Sequence, residues 1–224
     1  MKKYLIILIF QLLVANDIMK YEVSLYKMPM AEVIINYEST FFQNKKAINL
    51  TFKTHTNKFA SKIFKVNNDY ETIIDPNNFN ILSFKKNTYQ TGLSNQLHTI
   101  NNGDNVIYAN TDIIIPENYF NIFSLLYYLT ITPFEEVQTN IKLEREALLY
   151  DCIIKKNKTE SFYEYELIVN LINKQQIPII ENTDMFTWAV FKENSYKKII
   201  VGKNKKIKSC VFSVGLTSLR ANLK

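Results

Sequence analysis

The sequence predicts a mainly β protein: a meandering antiparallel sheet curled into a barrel or half-barrel, with one short buried helix at about residues 122–130. Three observations carry this reading. Apolar and polar residues alternate with period two through about a dozen short runs. Polar turn clusters separate the runs. One stretch, "FNIFSLLYYLTITP" from Phe120 to Pro133, is apolar without alternating.

The clearest run is "YEYELIVNL". Tyr163, Tyr165, Leu167, Val169 and Leu171 fall on one face, and Glu164, Glu166 and Asn170 on the other, as in a strand with one wet side. In chain order the remaining expected strands are Lys20–Tyr26, Glu32–Phe41, Ala47–Thr54, Ile63–Val66, Tyr70–Asp75 and Ile81–Phe84. Beyond the middle come Ile141–Glu146, Leu148–Lys155, Met185–Phe191, Lys197–Val201 and Ile207–Val214. The clusters "FFQNKK", "VNND", "DPNN", "NNGD" and "GKNKK" supply turn chemistry between them. In the exceptional stretch, Asn121 can cap a helix and Pro133 stops it. Nine helical residues rise about 13 Å, less than half the thickness of a bilayer's hydrocarbon, so this is no membrane span. Ile122, Phe123, Leu125, Leu126, Tyr127, Tyr128 and Leu129 leave almost no polar face, which places the helix inside the concavity of the sheet.

The 224 residues suit a single β domain, and only 4 Gly and 5 Pro argue against disorder. The chain opens "MKKYLIILIFQLLVAND": two lysines, then an apolar run too short to span a bilayer. This is the form of a secretory signal over residues 1–15, leaving 16–224 as one domain. A buried first strand or helix is the other reading of the run, and the flanking lysines favour export. Removing Lys2 and Lys3 lowers the net charge from +6 to +4, a mild basic bias. Cys152 and Cys210 are the only cysteines. They are compatible with a disulfide in an oxidising compartment or with two separately buried thiols, and no CxxC redox motif is present.

Several quoted stretches resemble the bacterial domain-of-unknown-function 3108 family of exported envelope proteins. They are "KYEVSLYKMPMAEVIINYES", "FKVNNDYETIIDP", "NIFSLLYYL", "LLYDCIIKK" and "MFTWAVFKENSYKKIIV", together spanning roughly residues 20–214. The chain departs from the family pattern where glycines near the first turn are replaced by Met28, Pro29, Met30 and Glu32. It departs again at the helix cap, which is Asn121 instead of aspartate, and at Lys198 where a proline is common. The resemblance implies the periplasm or cell envelope of a Gram-negative bacterium, a β-rich fold akin to periplasmic lipoprotein-carrier half-barrels, and no established activity.

Motifs for enzyme chemistry are missing. His55 and His98 have no second ligand at metal-binding spacing, and there is neither a GxSxG elbow nor a phosphate-binding glycine loop. Glu135 and Glu136, and Glu144 and Glu146, are paired acids. With Lys142 interleaved, Glu144 and Glu146 read as a solvated charge ladder. Asp69 and Asp75 read as turn builders. Lys203, Lys205, Lys206 and Lys208 read as a lysine-rich sheet edge that deters aggregation, with anionic lipid head groups as the weaker alternative.

The aromatic content, 14 Tyr, 15 Phe and Trp188, is the most suggestive feature. The candidates for a ligand site on a concave sheet are Phe123, Tyr127, Tyr128, Tyr163, Tyr165, Phe186 and Trp188; the same rings would equally serve as core packing. The expectation is an exported, non-enzymatic envelope protein without cofactor or metal that binds a hydrophobic or lipid-like molecule. Its partners would be envelope proteins and, peripherally, the membrane, but not nucleic acid. The alternative is a filled-core structural or interaction module.

Overall fold

A computed structural model describes residues 18–173 and 177–224. The expected signal segment, residues 1–15, lies outside the described residues. Fourteen strands form one antiparallel sheet: β1 (Met19–Leu25), β2 (Met28–Phe42), β3 (Lys45–Thr56), β4 (Val66–Ile74), β5 (Ile81–Gln90), β6 (Leu93–Asn101), β7 (Asn105–Tyr108), β8 (Ile114–Pro116), β9 (Asn140–Arg145), β10 (Leu148–Lys158), β11 (Phe162–Leu171), β12 (Tyr196–Gly202), β13 (Ile207–Val214) and β14 (Thr217–Leu223). Among the described residues two α-helices interrupt the meander, α1 (Ile122–Ile131) between β8 and β9, and α2 (Met185–Phe191) between β11 and β12.

Each strand pairs with its sequence neighbour except β8 with β9, and β1 pairs in addition with β14. The sheet order is β8-β7-β6-β5-β4-β3-β2-β1-β14-β13-β12-β11-β10-β9, so the first and last strands meet in its middle. The edges are β8 and β9, and the chain crosses between them through α1. There Phe120 makes a parallel bridge to Leu143: its amide donates to the Lys142 carbonyl at 3.0 Å and its carbonyl accepts from the Glu144 amide at 2.8 Å. The sheet therefore curls until its edges are joined through this segment.

Because all strand pairs are antiparallel, the connections alternate between two rims. One rim, called upper here, carries the turns at 26–27, 57–65, 91–92, 146–147 and 215–216 and the β11–β12 link with α2. The lower rim carries those at 43–44, 75–80, 102–104, 159–161 and 203–206. The upper turns Tyr26–Lys27 and Glu146–Ala147 and the lower turn Gln43–Asn44 have positive φ at both central residues, the geometry that suits the right-handed twist of a tight hairpin.

α1 forms where the sequence places it. The Asn121 side chain accepts from the Ser124 amide at 2.8 Å, the Ser124 hydroxyl accepts from the Asn121 amide at 3.1 Å, and Pro133 follows the final turn. Eight of its ten residues are buried, and it fills the concavity together with inward residues such as Leu50, Tyr70, Leu143 and Leu167.

Four expectations are corrected. Met185–Phe191 is a helix, not a strand: Asp184 caps it by accepting from the Thr187 amide at 3.0 Å, and Phe186, Ala189 and Val190 recur at helical spacing. Ile63–Val66 is mostly a connection that begins with a 3-10 turn at Ala60–Lys62; only Val66 enters a strand. "VNND" is the start of β4 and not a turn, so Asp69 lies in a strand beside Lys53. β5 runs on to Gln90, and β6, β7 and β8 are strands beyond those the sequence predicts. On β5 and β6 the inward positions carry Lys86, Thr88, Gln90 and Thr99, which hides the alternation from a hydropathy reading, while β7 and β8 are only 4 and 3 residues long.

Candidate functional site

The concave face is unevenly filled. Across five adjacent strands, Thr56 on β3, Ala31 on β2, Val23 on β1, Ala221 on β14 and Cys210 on β13 stand opposite one another in register. All five are small, where comparable inward rows hold tyrosine, phenylalanine or leucine. The result is a cavity of about 150 Å³ beneath the upper rim, with Tyr21, Phe52, Tyr70, Phe123 and Leu126 as its buried floor. Leu25, Met30, Phe64 and Leu219, all half-buried, surround its mouth.

Polar groups are few. The Tyr21 hydroxyl donates to the Ile207 carbonyl at 3.0 Å, and burial raises its pKa. Asn68 lines one wall and donates to the Tyr70 hydroxyl at 3.0 Å; its buried carbonyl oxygen has no partner among the described residues. A largely apolar cavity with one or two placed polar atoms is the usual form of a small-molecule site.

Two of the seven aromatic candidates meet at this cavity. Phe123 lies 4.7 Å, centroid to centroid, from both Phe52 and Tyr70, and 6.0 Å from Phe186. The others lie elsewhere. Tyr127 packs edge-on against Tyr37 at 5.0 Å, and Tyr128 meets Phe79 at 5.1 Å while its hydroxyl accepts from the Gln138 amide. Tyr163 stacks on Phe134 at 4.9 Å under the Lys203 ammonium, Tyr165 is fully buried, and Trp188 is 36% exposed on the outer side of α2. Small residues at the register positions shape the cavity more than aromatics do, and no local motif marks them.

A second constellation sits beside the cavity. Lys86 on β5 is 1% exposed, and its ammonium donates to Glu146 at 2.5 Å, to Asp184 at 2.6 Å and to the Thr183 hydroxyl at 3.1 Å. Thr183 donates to Glu146 at 2.6 Å, Thr187 donates to Asp184 at 2.6 Å, and the Arg145 guanidinium stands 3.3 Å from Glu146. Alongside, the Tyr108 hydroxyl donates to Glu144 and accepts from the Ala147 amide at 2.7 Å. Burial pushes the Glu144 carboxyl up to about 7, against the Tyr108 hydrogen bond. Burial also opposes charge on Asp184, but Lys86 and Thr187 outweigh it and hold that carboxyl low. Glu144 and Glu146 are thus buried struts and not a solvated ladder, because the β9–β10 turn folds inward against β5 and β7. With Lys86, Glu146 and Asp184 all sealed from solvent, the cluster ties β5, the β9–β10 turn and α2 together.

The remaining expectations can be placed. His55 stands opposite Glu32 on the exposed outer face, and His98 lies three strands away, 3.4 Å from the Ser83 hydroxyl. Cys152 and Cys210 are free and buried; β11 and β12 separate their strands, about 14 Å at ordinary strand spacing and too far for a bond. The 203–208 lysines lie at the β12–β13 hairpin inside the sheet and not at an edge, since the edges are β8 and β9. Lys203 covers the Tyr163 ring at 4.4 Å and Lys208 the Phe162 ring at 6.0 Å. Asp75 does build a turn, accepting from the Asn77 amide at 2.8 Å. Among the described residues no three His, Cys, Asp or Glu side chains converge as metal ligands, and no helix is long and apolar enough to cross a membrane.

Fold and site together define a barrel-like antiparallel β protein with helices packed in its concavity and an apolar cavity under one rim. The sequence model of the family described as "Protein of unknown function (DUF3108)" matches residues 20–141, more than half of the chain, and the protein belongs to that family. The match ends at the start of β9, so the resemblance noted beyond it rests on the quoted stretches alone. No curated protein matches the chain. Among solved structures, the chain is similar to the crystal structure of a "Beta-barrel-like Protein of Domain of Unknown Function DUF1849 from Brucella abortus". The TM-score is 0.55 and the identity 9%, over 92% of this chain and 95% of that one. At that identity the likeness concerns the fold alone.

Proposed function

We propose that this is an exported envelope protein that binds the apolar end of a lipid-like molecule in the cavity beneath its upper rim, without doing chemistry on it. The observation that carries the proposal is the row Thr56–Ala31–Val23–Ala221–Cys210, which leaves the concave face unfilled over five consecutive strands. An apolar cavity of about 150 Å³ holds a group the size of benzene. Burying about six methylenes of a chain contributes about 5 kcal/mol at ~0.8 kcal/mol each. The unpartnered Asn68 carbonyl oxygen offers an acceptor to a hydroxyl or amide on the ligand. The N-terminal "MKKYLIILIF" supports export.

The test uses cis-parinaric acid as a fluorescent probe. Saturable binding that palmitate displaces is expected, weakened at least ten-fold by Ala31→Trp, which fills the row. No saturable binding, together with solvent extracts of the purified protein free of lipid-like species, would sink the proposal. The packed lower half, where Tyr127, Tyr128 and Tyr163 serve as core, favours the second reading of a structural module. That reading expects no ligand and protein partners recovered by crosslinking.

A further inference from the structure

Exposed apolar side chains are not spread evenly over the two rims. Tyr26 and Met28 at the β1–β2 turn, Phe59 and Ile63 in the β3–β4 connection, and Leu216 at the β13–β14 turn are 54–92% exposed. These three connections come from adjacent strands and are tied to one another. The Asn57 amide donates to the Met30 carbonyl at 2.9 Å and its side chain to the Pro29 carbonyl at 2.7 Å, while the hydroxyls of Tyr26 and Thr217 meet at 3.3 Å. The five side chains therefore crown one continuous stretch of upper rim, directly around the cavity mouth.

The same stretch is uniformly basic. Segments 26–31, 57–66 and 214–220 contain Lys27, Lys58, Lys62, Lys65 and Arg220 and not one Asp or Glu, although the chain as a whole holds 21 acidic residues. The lower rim is mixed, with Asp75, Asp104 and Glu160 at its turns. Apolar tips interleaved with lysines and free of acids complement a surface that is apolar just below a layer of negative charge. An anionic bilayer has that structure: the apolar tips enter the acyl boundary while the lysine ammonium groups stay among the head groups.

We infer that the upper rim docks on an anionic lipid bilayer through the tips of the β1–β2, β3–β4 and β13–β14 connections. The orientation turns the cavity mouth toward the membrane. This goes beyond ligand binding in the cavity and does not rest on it. It also moves the membrane contact away from the 203–208 lysines, which face the opposite end of the barrel.

Sedimentation of the purified protein with vesicles tests the inference. Wild-type protein is expected to pellet with vesicles of equal phosphatidylglycerol and phosphatidylcholine, to do so less in high salt, and to remain in the supernatant with phosphatidylcholine alone. The double substitution Phe59→Ser with Leu216→Ser should weaken binding at least ten-fold. Lys58→Glu with Lys62→Glu should remove the preference for anionic vesicles, whereas Lys203→Glu with Lys205→Glu on the lower rim should change binding less than two-fold. All altered residues are exposed, and unchanged thermal unfolding together with unchanged cis-parinaric acid binding would show that fold and cavity are intact. The inference is overturned if wild type does not pellet with the anionic vesicles, or if both pairs of rim variants pellet as wild type does. It is equally overturned if the rim substitutions act only by converting a dimer to a monomer in light scattering, which would make the rim a self-association surface. Ala31→Trp should lose cis-parinaric acid binding yet still pellet, which separates failure of the cavity proposal from failure of this one.

Discussion

The two sides of the interior solve opposite problems. Between β5 and β10 the concave face carries charge and is sealed. Lys86, Glu146 and Asp184 are almost fully buried and paired with one another, with Arg145 and two threonines beside them; Glu146 Oε2 and Arg145 Nε make no hydrogen bond among the described residues. Across β3, β2, β1, β14 and β13 the face carries no charge and is left open, because a register row of small side chains faces the cavity. A buried polar cluster demands fixed geometry, since any group left unpaired there is costly. An apolar cavity demands little, since it can collapse slightly or admit a guest. One side holds the curled sheet in shape, and the other, under the proposed function, changes its contents without undoing the fold.

Four substitutions would break or sharpen this contrast. The largest effect is expected from Lys86→Met, which leaves Glu146 and Asp184 buried without their shared cation. It should cost about 3–5 kcal/mol in urea unfolding, and a loss under 1 kcal/mol would show that the cluster is no strut. Next, Leu125→Ala in the packed core under α1 should cost about 2–5 kcal/mol, whereas Ala31→Leu at the cavity should change stability by less than about 1 kcal/mol. Equal penalties at the two sites would erase the difference between the regions.

The smallest effect at neutral pH, though large across a titration, concerns Glu144. Its carboxyl is held up to about 7 in the folded protein, from 4.5 when unfolded. The folded state therefore binds the proton more tightly, and its contribution to stability is fully present below pH 4.5. That contribution is lost as pH rises to about 7 and amounts to about 3 kcal/mol at most. Glu144→Gln should flatten this fall when melting temperature is followed from pH 4.5 to 8; an unchanged slope would assign the pH dependence elsewhere.

The sequence reveals the mainly β class, the antiparallel meander and α1 because period-two runs and an Asn cap with a Pro stop are local signals. It hides the second half of β5, much of β6 and the charged cluster because inward positions there are polar and, as Lys86 does with Glu146 and Asp184, find partners far along the chain; β7 and β8 bury Val106, Tyr108 and Ile115 but are too short to show a period. Met185–Phe191 misleads because six apolar residues around one threonine suit either element, and only Asp184 and the helical recurrence of Phe186, Ala189 and Val190 decide. Phe123 and Phe186 could be nominated for the cavity because aromatics draw attention. Ala31, Val23 and Ala221 could not, since a row across strands exists only once the register is known.

The seam between β1 and β14 has a consequence for how the chain is made. Tyr26 and Thr217 are hydrogen-bonded neighbours 191 residues apart, and the Lys224 amide donates to the Lys20 carbonyl at 2.9 Å. During synthesis β1 waits, with one backbone edge bare, until nearly all the other strands have emerged. The eight-stranded first portion can assemble as an open sheet, but its inner edge stays available to any strand that arrives first. β14 is thus the piece that closes this edge, and a chain cut short before Thr217 would leave it as a sticky border open to foreign strands.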